Sequence, residues 1–223
     1  MTTNFKTISG FSRIIMFMSF TFLIGPIKSQ DVKKVTSSPY QGMVEQYYVL
    51  KSNKEVKNGP YKLTINNIVC QMGYYKNNER TGMWQIFKAK NAIEFKYNYD
   101  TKQLIELDKG YFMNPNDTTS RAPVYLGGSI YLLFTVANNT KHPDGARSSM
   151  NFKDSKSVVA FDIDTSGIAI NHRILSSSKN SQLDFEAIHA VKLASTLNFS
   201  FLPGLAKGKL CKMPYMIPVI FSF

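Results

Sequence analysis

SVVAFDIDTSGIAINHRILS, residues 157–176, reads as a β-hairpin. Ser157 to Ile163 alternates as a strand does, Asp164-Thr165-Ser166-Gly167 supplies turn chemistry with glycine where the backbone needs freedom, and Ile168 to Ser176 returns as the partner. Upstream, Gly127-Gly128 precedes Ile130, Leu133, Phe134 and Ala137, which fall at i, i+3, i+4 and i+7 on one helix face that His142-Pro143 ends. Downstream, Ser181 with Asp184 three residues on is a capping-box pattern, and Ala187, Ile188, Val191 and Ala194 form the apolar face of the helix it starts. Phe201-Leu202-Pro203-Gly204 closes that unit, and KMPYMIPVIFSF, residues 212–223, is a final strand rich in Val, Ile, Tyr and Phe. The order is helix, strand, strand, helix, strand. Pro214 and Pro218 lack ladder donors, so the last strand belongs at a sheet edge.

These residues resemble the C-terminal domain of the TonB family over 123–223, about half of the chain. The resemblance is carried by Pro123-x-Tyr125-x-Gly127-Gly128, the helix reaching Asn138 and Pro143, the strand VVAFDID with its Gly167 turn, Leu183-Asp184-x-Glu186-Ala187, Pro203-Gly204, Gly208, and Tyr215-x-Ile217-Pro218-Val219-x-Phe221. The chain departs from the pattern at Leu126, where proline is usual, at Phe201 for tryptophan, at His189 for arginine, and at Lys156 or Ser157 for glycine. The resemblance implies a three-stranded antiparallel sheet packed on helices. It also implies recognition of an outer-membrane transporter's plug peptide by strand addition. Independently of it, an edge strand offers unpaired N–H and C=O groups to an extended segment. Lys212, Met213, Tyr215, Ile217, Val219 and Phe221 are then the peptide-binding residues, the alternative being that this face only fills the core.

Residues 31–110 are organised differently. Asn58-Gly59-Pro60-Tyr61 recurs as Thr81-Gly82-Met83-Trp84, a spacing of 23 that Tyr74 and Tyr97 share. Such a period marks stacked supersecondary units, because one hairpin cannot bury its own face. GYYKNNERTGMWQIF (73–87) followed by IEFKYNY (93–99) resembles MORN-like repeats. Gly59, Tyr61, Gly82 and Trp84 are the expected repeat core, with Gly82 at positive φ; a ligand groove built from Tyr74, Tyr75 and Trp84 is the lesser reading. YFMNPNDTTSRA, residues 111–122, reads as a linker. The fold class is therefore α+β: antiparallel β hairpin repeats, then the TonB-like domain.

The first thirty residues read as an export signal. Lys6 and Arg13 precede the apolar run Ile14 to Ile27, which at 14 residues is short of the ~20 needed to span a bilayer and is broken by Gly25-Pro26. Cleavage near Ser29 or Gln30 yields a periplasmic or envelope protein of a Gram-negative-type bacterium. An uncleaved, tilted anchor is the alternative, and only then is membrane association expected. The run contains no His and no Pro-rich reach follows it, so coupling to an inner-membrane motor is not expected.

Composition adds exclusions. The 223 residues carry 27 Lys+Arg against 15 Asp+Glu, a formal +12, with 43% hydrophobic residues. That fraction suits a packed core, not disorder. Only 5 of the 27 basic residues are Arg, the residue that base readout and bidentate phosphate recognition favour, and the charge is spread evenly, so no nucleic-acid partner is expected. Three His (142, 172, 189) and two Cys (70, 211) lack metal-ligand spacing, and no nucleophile elbow, Walker loop or dinucleotide fingerprint occurs. Neither an enzyme nor a cofactor is expected. Cys70 and Cys211 either pair, tying the repeat to the last strand, or are apolar fillers. The functional expectation is an exported binding protein serving transmembrane transport; the alternative is a structural envelope protein whose repeats contact membrane or polymer and whose TonB-like sheet forms a homodimer.

Overall fold

Asparagine pairs, rather than the repeat glycines, close two of the hairpins in the first half. In the computed structural model, which describes residues 31–89, 92–141, 155–196 and 199–221, Asn66-Asn67 and Asn77-Asn78 all have positive φ. They close two-residue hairpins whose left-handed turns match strand twist. The strands are β1 (Val32–Ser37), β2 (Met43–Leu50), β3 (Lys57–Ile65), β4 (Ile68–Lys76), β5 (Glu79–Lys88), β6 (Ala92–Asn98) and β7 (Gln103–Leu107). They form one antiparallel sheet in chain order. Gly59 and Gly82, at φ 131° and 62°, lie inside β3 and β5 at register shifts against β2 and β4. They are bulge glycines, placed two residues before Tyr61 and Trp84.

The spacing of 23 thus puts Tyr61 and Trp84 on alternate strands, facing inward, with ring centroids 5.3 Å apart. Gly73 of β4 lies between them, and a Cβ there would overlap the Trp84 ring. Trp84 is fully buried, and its indole N–H donates to the Tyr74 carbonyl at 3.2 Å. The spacing does not carry over to Tyr74 and Tyr97: the bulges leave Tyr74 exposed on the outer face and Tyr97 buried on the inner one.

The segment expected to be a linker is structured. After a 3-10 turn at Lys109–Tyr111 come β8 (Phe112–Asn114) and β9 (Asp117–Arg121), then β10 (Val124–Tyr125) and helix α1 (Ser129–Asn139). The remaining elements are β11 (Ser155–Ile163), β12 (Ala169–Ser176), α2 (Ser181–Thr196), β13 (Phe201–Leu202), β14 (Gly204–Ala206), β15 (Lys209–Cys211) and β16 (Met213–Phe221). β8 and β9 join the β14–β15 hairpin in a four-stranded sheet, and β10 pairs with β13. Buried Arg121 fixes this junction by donating to the Pro203 carbonyl at 2.9 Å and the Ala122 carbonyl at 3.2 Å. Pro115 and Asn116, the two residues between β8 and β9, mark a turn between two short strands, which the polar composition disguised.

β12, β11 and β16 form a three-stranded antiparallel sheet in that order. One face packs on α2 through Val159, Phe161, Ile163, Ile217, Val219 and Phe221 against Leu183, Ala187, Ala190 and Val191. Each large side chain buried in this way stabilises by about 1.5–3 kcal/mol. The hairpin turn follows its sequence pattern: Gly167 has φ 82°, Asp164 Oδ1 accepts from the N–H groups of Ser166 and Ile168, and a Cβ on Gly167 would overlap the Phe201 carbonyl. The helix cap differs. Asn180, not Ser181, accepts from the N–H groups of Gln182 and Leu183 at 2.9 and 3.2 Å. Asp184 is turned away to accept from Ser157 Oγ (2.7 Å), Ser177 Oγ (2.6 Å) and Ser178.

α1 packs on both large sheets. Ile130 and Phe134 contact the core of the seven-stranded sheet, while Leu132 and Val136 join that of the three-stranded one. Its N-terminus is capped from outside: a bulge between Ile86/Phe87 and Phe95/Ile93 turns Glu94 inward, where its carboxylate accepts from Ser129 N–H (3.0 and 3.1 Å), Ser129 Oγ and Tyr111 Oη. Gln71 donates to the Gly127 carbonyl at 2.7 Å. Residues Asp31–Phe223 consequently form one compact unit. The molecule is α+β, with mostly antiparallel sheets and two helices. The export signal expected over residues 1–30, and the His142-Pro143 helix stop, lie outside the described residues.

Candidate functional site

β16 has a ladder neighbour on one side only among the described residues. It pairs with β11 in unbroken register from Ser155↔Phe221 to Ile163↔Met213. Pro214 and Pro218 stand opposite Asp162 and Val158, and so share one parity. In an antiparallel strand, alternate residues aim both backbone polar groups to the same side. The parity that can spare its N–H groups is the one that faces away from β11. Met216 and Ile220 then carry the outward N–H donors, and the carbonyls of 214, 216, 218 and 220 the outward acceptors.

The side chains divide along the same alternation. Met213, Ile217, Val219 and Phe221 are buried and Tyr215 is half-buried, packed on Phe161 and Phe201. The face expected to meet a peptide is thereby placed in the core, because the helices need an apolar sheet to cover. Burial pushes the Tyr215 hydroxyl up to about 12, with the negative charge of Glu94 adding to it. Lys212 is exposed just before the strand. Of the expected peptide-contacting side chains only it is free to meet solvent in full.

What borders the open edge is a groove of about 260 Å³ between β16 and the outer flank of α1, lined by Leu133, Val136, Ala137, Thr140, Pro218, Val219 and Ile220. Leu133 and Ile220 remain 49% and 61% exposed. The sequence signal for this flank was a helix whose apolar residues cover more than one face: Ile130 and Phe134 serve one sheet, Leu132 and Val136 the other, and Leu133 neither. An extended segment laid along β16 would find backbone partners on the strand and an apolar floor beside it.

The other motif residues hold the frame. Pro123 and Tyr125 are buried; the Tyr125 hydroxyl donates to the Ala194 carbonyl at 3.4 Å, and its ring packs on Phe199 and Phe201. Burial raises its pKa above the ordinary phenol range. Gly128, at φ 82°, brings the start of α1 against Ile86. Leu183 and Ala187 are core residues, Gly204 lies against Met213, and Glu186 keeps one buried carboxylate oxygen, Oε2, without a hydrogen-bond partner. Cys70 and Cys211 are free thiols, and burial pushes that of Cys70 up to about 11. Among the described residues no group of His, Cys, Asp and Glu could hold a metal ion, and no helix is long and apolar enough to cross a membrane.

No family model and no curated protein matches the chain. Among solved structures, it is similar to the solution structure of the C-terminal domain of TonB from Helicobacter pylori, at 17% identity and a TM-score of 0.34, over 42% of this chain and 78% of that one.

Proposed function

We propose that this chain is a cell-envelope binding module, not an enzyme, that takes up an extended segment of a partner protein by strand addition at β16. The observation that carries the reading is the edge that β16 leaves open among the described residues: a long strand with two prolines, one ladder neighbour there, and an apolar groove alongside. The resemblance of residues 123–223 to the TonB family names the segment class, the plug peptide of an outer-membrane transporter, and with it a place in transmembrane transport. Residues 31–110 act as a scaffold that fixes α1, and through it one wall of the groove.

The test is titration of the full chain with a plug-derived peptide. Saturable binding is expected, and Met216→Pro, which removes an outward N–H without touching the ladder to β11, should weaken it by about tenfold, the worth of one to two backbone hydrogen bonds. Binding that is absent, or that Met216→Pro leaves unchanged, overturns the reading. A concentration-dependent dimer abolished by Met216→Pro would instead assign the edge to a second copy of the chain.

A further inference from the structure

A second concave site lies on the inner face of the seven-stranded sheet and shares no lining residue with the β16 groove. It is a cleft of about 400 Å³, walled by Tyr61, Tyr75, Tyr131 and Phe199 and containing two cations, Lys57 and Arg80. Tyr61, Tyr75 and Trp84 form one aromatic cluster, every pair of centroids 5.3 Å apart. The cations sit on it: the Lys57 ammonium is 5.3 Å from the Tyr75 centroid, 5.7 Å from that of Tyr61 and 4.6 Å from that of Tyr47. The Arg80 guanidinium is sandwiched, 3.8 Å from the Trp84 ring and 4.2 Å from Phe199.

Arg80 is also held in plane. It donates to Tyr99 Oη and to Gln71 Oε1, both at 2.9 Å, and Gln71 is itself anchored on the Gly127 carbonyl. Those bonds use two of its five N–H donors. Neither cation forms an ion pair among the described residues. The acid in the lining, Glu45, accepts instead from Tyr61 Oη at 2.7 Å and Ser37 Oγ at 3.4 Å. A ring face attracts a cation without neutralising it, and half-buried cations that outnumber the carboxylates beside them are costly unless an anion completes them.

We propose that this cleft binds a small organic carboxylate with a flat apolar body. The carboxylate meets Arg80 and Lys57, where a planar guanidinium fork matches it, and the body lies against Tyr61, Tyr75 and Phe199. Two cations and one carboxylate leave the lining at a single positive charge, which a monoanion balances and a polyanion does not. The volume falls in the range of about 300–1,000 Å³ that small ligands occupy. The aromatic walls would be idle around inorganic phosphate.

Benzoate titrated into the full chain tests this, read by calorimetry and by the fluorescence of Trp84, the sole tryptophan, whose ring carries Arg80. Saturable binding is expected, with benzamide and acetate each at least about tenfold weaker because one lacks the charge and the other the body. Lys57→Met should lower benzoate affinity about tenfold while leaving the melting temperature unchanged. Equal binding of benzoate and benzamide, wild-type affinity in folded Lys57→Met, phosphate outcompeting benzoate, or no saturation at millimolar benzoate would each overturn the proposal. Because Arg80 also steadies Gln71, Arg80→Met is read only alongside its melting curve, and Lys57 decides.

Discussion

Gly73 shows how much one missing methyl can matter. The Trp84 ring lies across it, so Gly73→Ala must displace either the indole or strand β4. Overpacking of this kind costs about 1–3 kcal/mol, and thermal denaturation followed by circular dichroism should show the midpoint falling by about 2–4 °C for each kcal/mol lost. Glu94 is the polar counterpart. Its carboxylate accepts from the Ser129 N–H, the Ser129 hydroxyl and the Tyr111 hydroxyl at the start of α1. Glu94→Gln keeps the shape but turns one acceptor into a donor facing donors, a loss of about 1–3 kcal/mol measurable in the same experiment. Nothing local announced this role. Glu94 sits in an alternating strand where its parity predicts exposure, and only the bulge against Ile86 and Phe87 turns it inward. By contrast, the inward roles of Tyr61 and Trp84 were legible from the sequence, because aromatic spacing reports directly on the buried face.

At the scale of elements, the order from α1 through β11, β12 and α2 to β16 could be read from apolar spacing and turn chemistry, and so could the edge position of the last strand. Short-strand pairings could not. β8, β9, β14 and β15 are three to five residues long, and the two hairpins they form meet through β9 and β14, whose partners Arg121 and Leu205 are more than eighty positions apart in sequence. No local pattern encodes such partners. The two parities of β16 make a sharp contrast. Ile217→Pro removes a donor aimed at β11 and a fully buried side chain, and should destabilise by about 3 kcal/mol or more. Met216→Pro acts on the open side and should leave the denaturant midpoint close to that of the unmodified chain; equal losses for the two would refute the assignment of parity. The contact between β12 and α2 should respond to pH. His172 stacks on Phe161 at 4.9 Å and shares a 2.9 Å hydrogen bond with Ser195, and burial, with the nearby Lys192 charge adding to it, lowers its pKa. Its folded value lies below the unfolded one, so between the two the unfolded chain binds more protons and stability rises with pH. Stability should fall as pH drops below about 6.5, and His172→Gln should remove that part of the slope in urea titrations.

For the molecule as a whole, the question is whether the two halves visible in sequence are two folding units. The repeat spacing and the later helix–hairpin–helix pattern differ so plainly that a division near residue 111 follows from sequence alone. Yet α1 buries Ile130 and Phe134 against one sheet and Leu132 and Val136 against the other, and its N-terminus is capped by Glu94 from β6. Unfolding the seven-stranded sheet by itself would strand an apolar helix face in water and orphan the cap. Unfolding the other half would uncover Trp84's neighbours. Both penalties favour a single cooperative transition. The two probes needed report on opposite halves: Trp84 fluorescence follows the seven-stranded sheet, and helical ellipticity near 222 nm follows α1 and α2, which lie in the second half. In urea the two curves should coincide in midpoint and slope, and residues 111–223 expressed alone should lack a cooperative transition. Separated curves, or a cooperatively folded fragment, would show instead that α1 belongs to the second half and merely rests on the first.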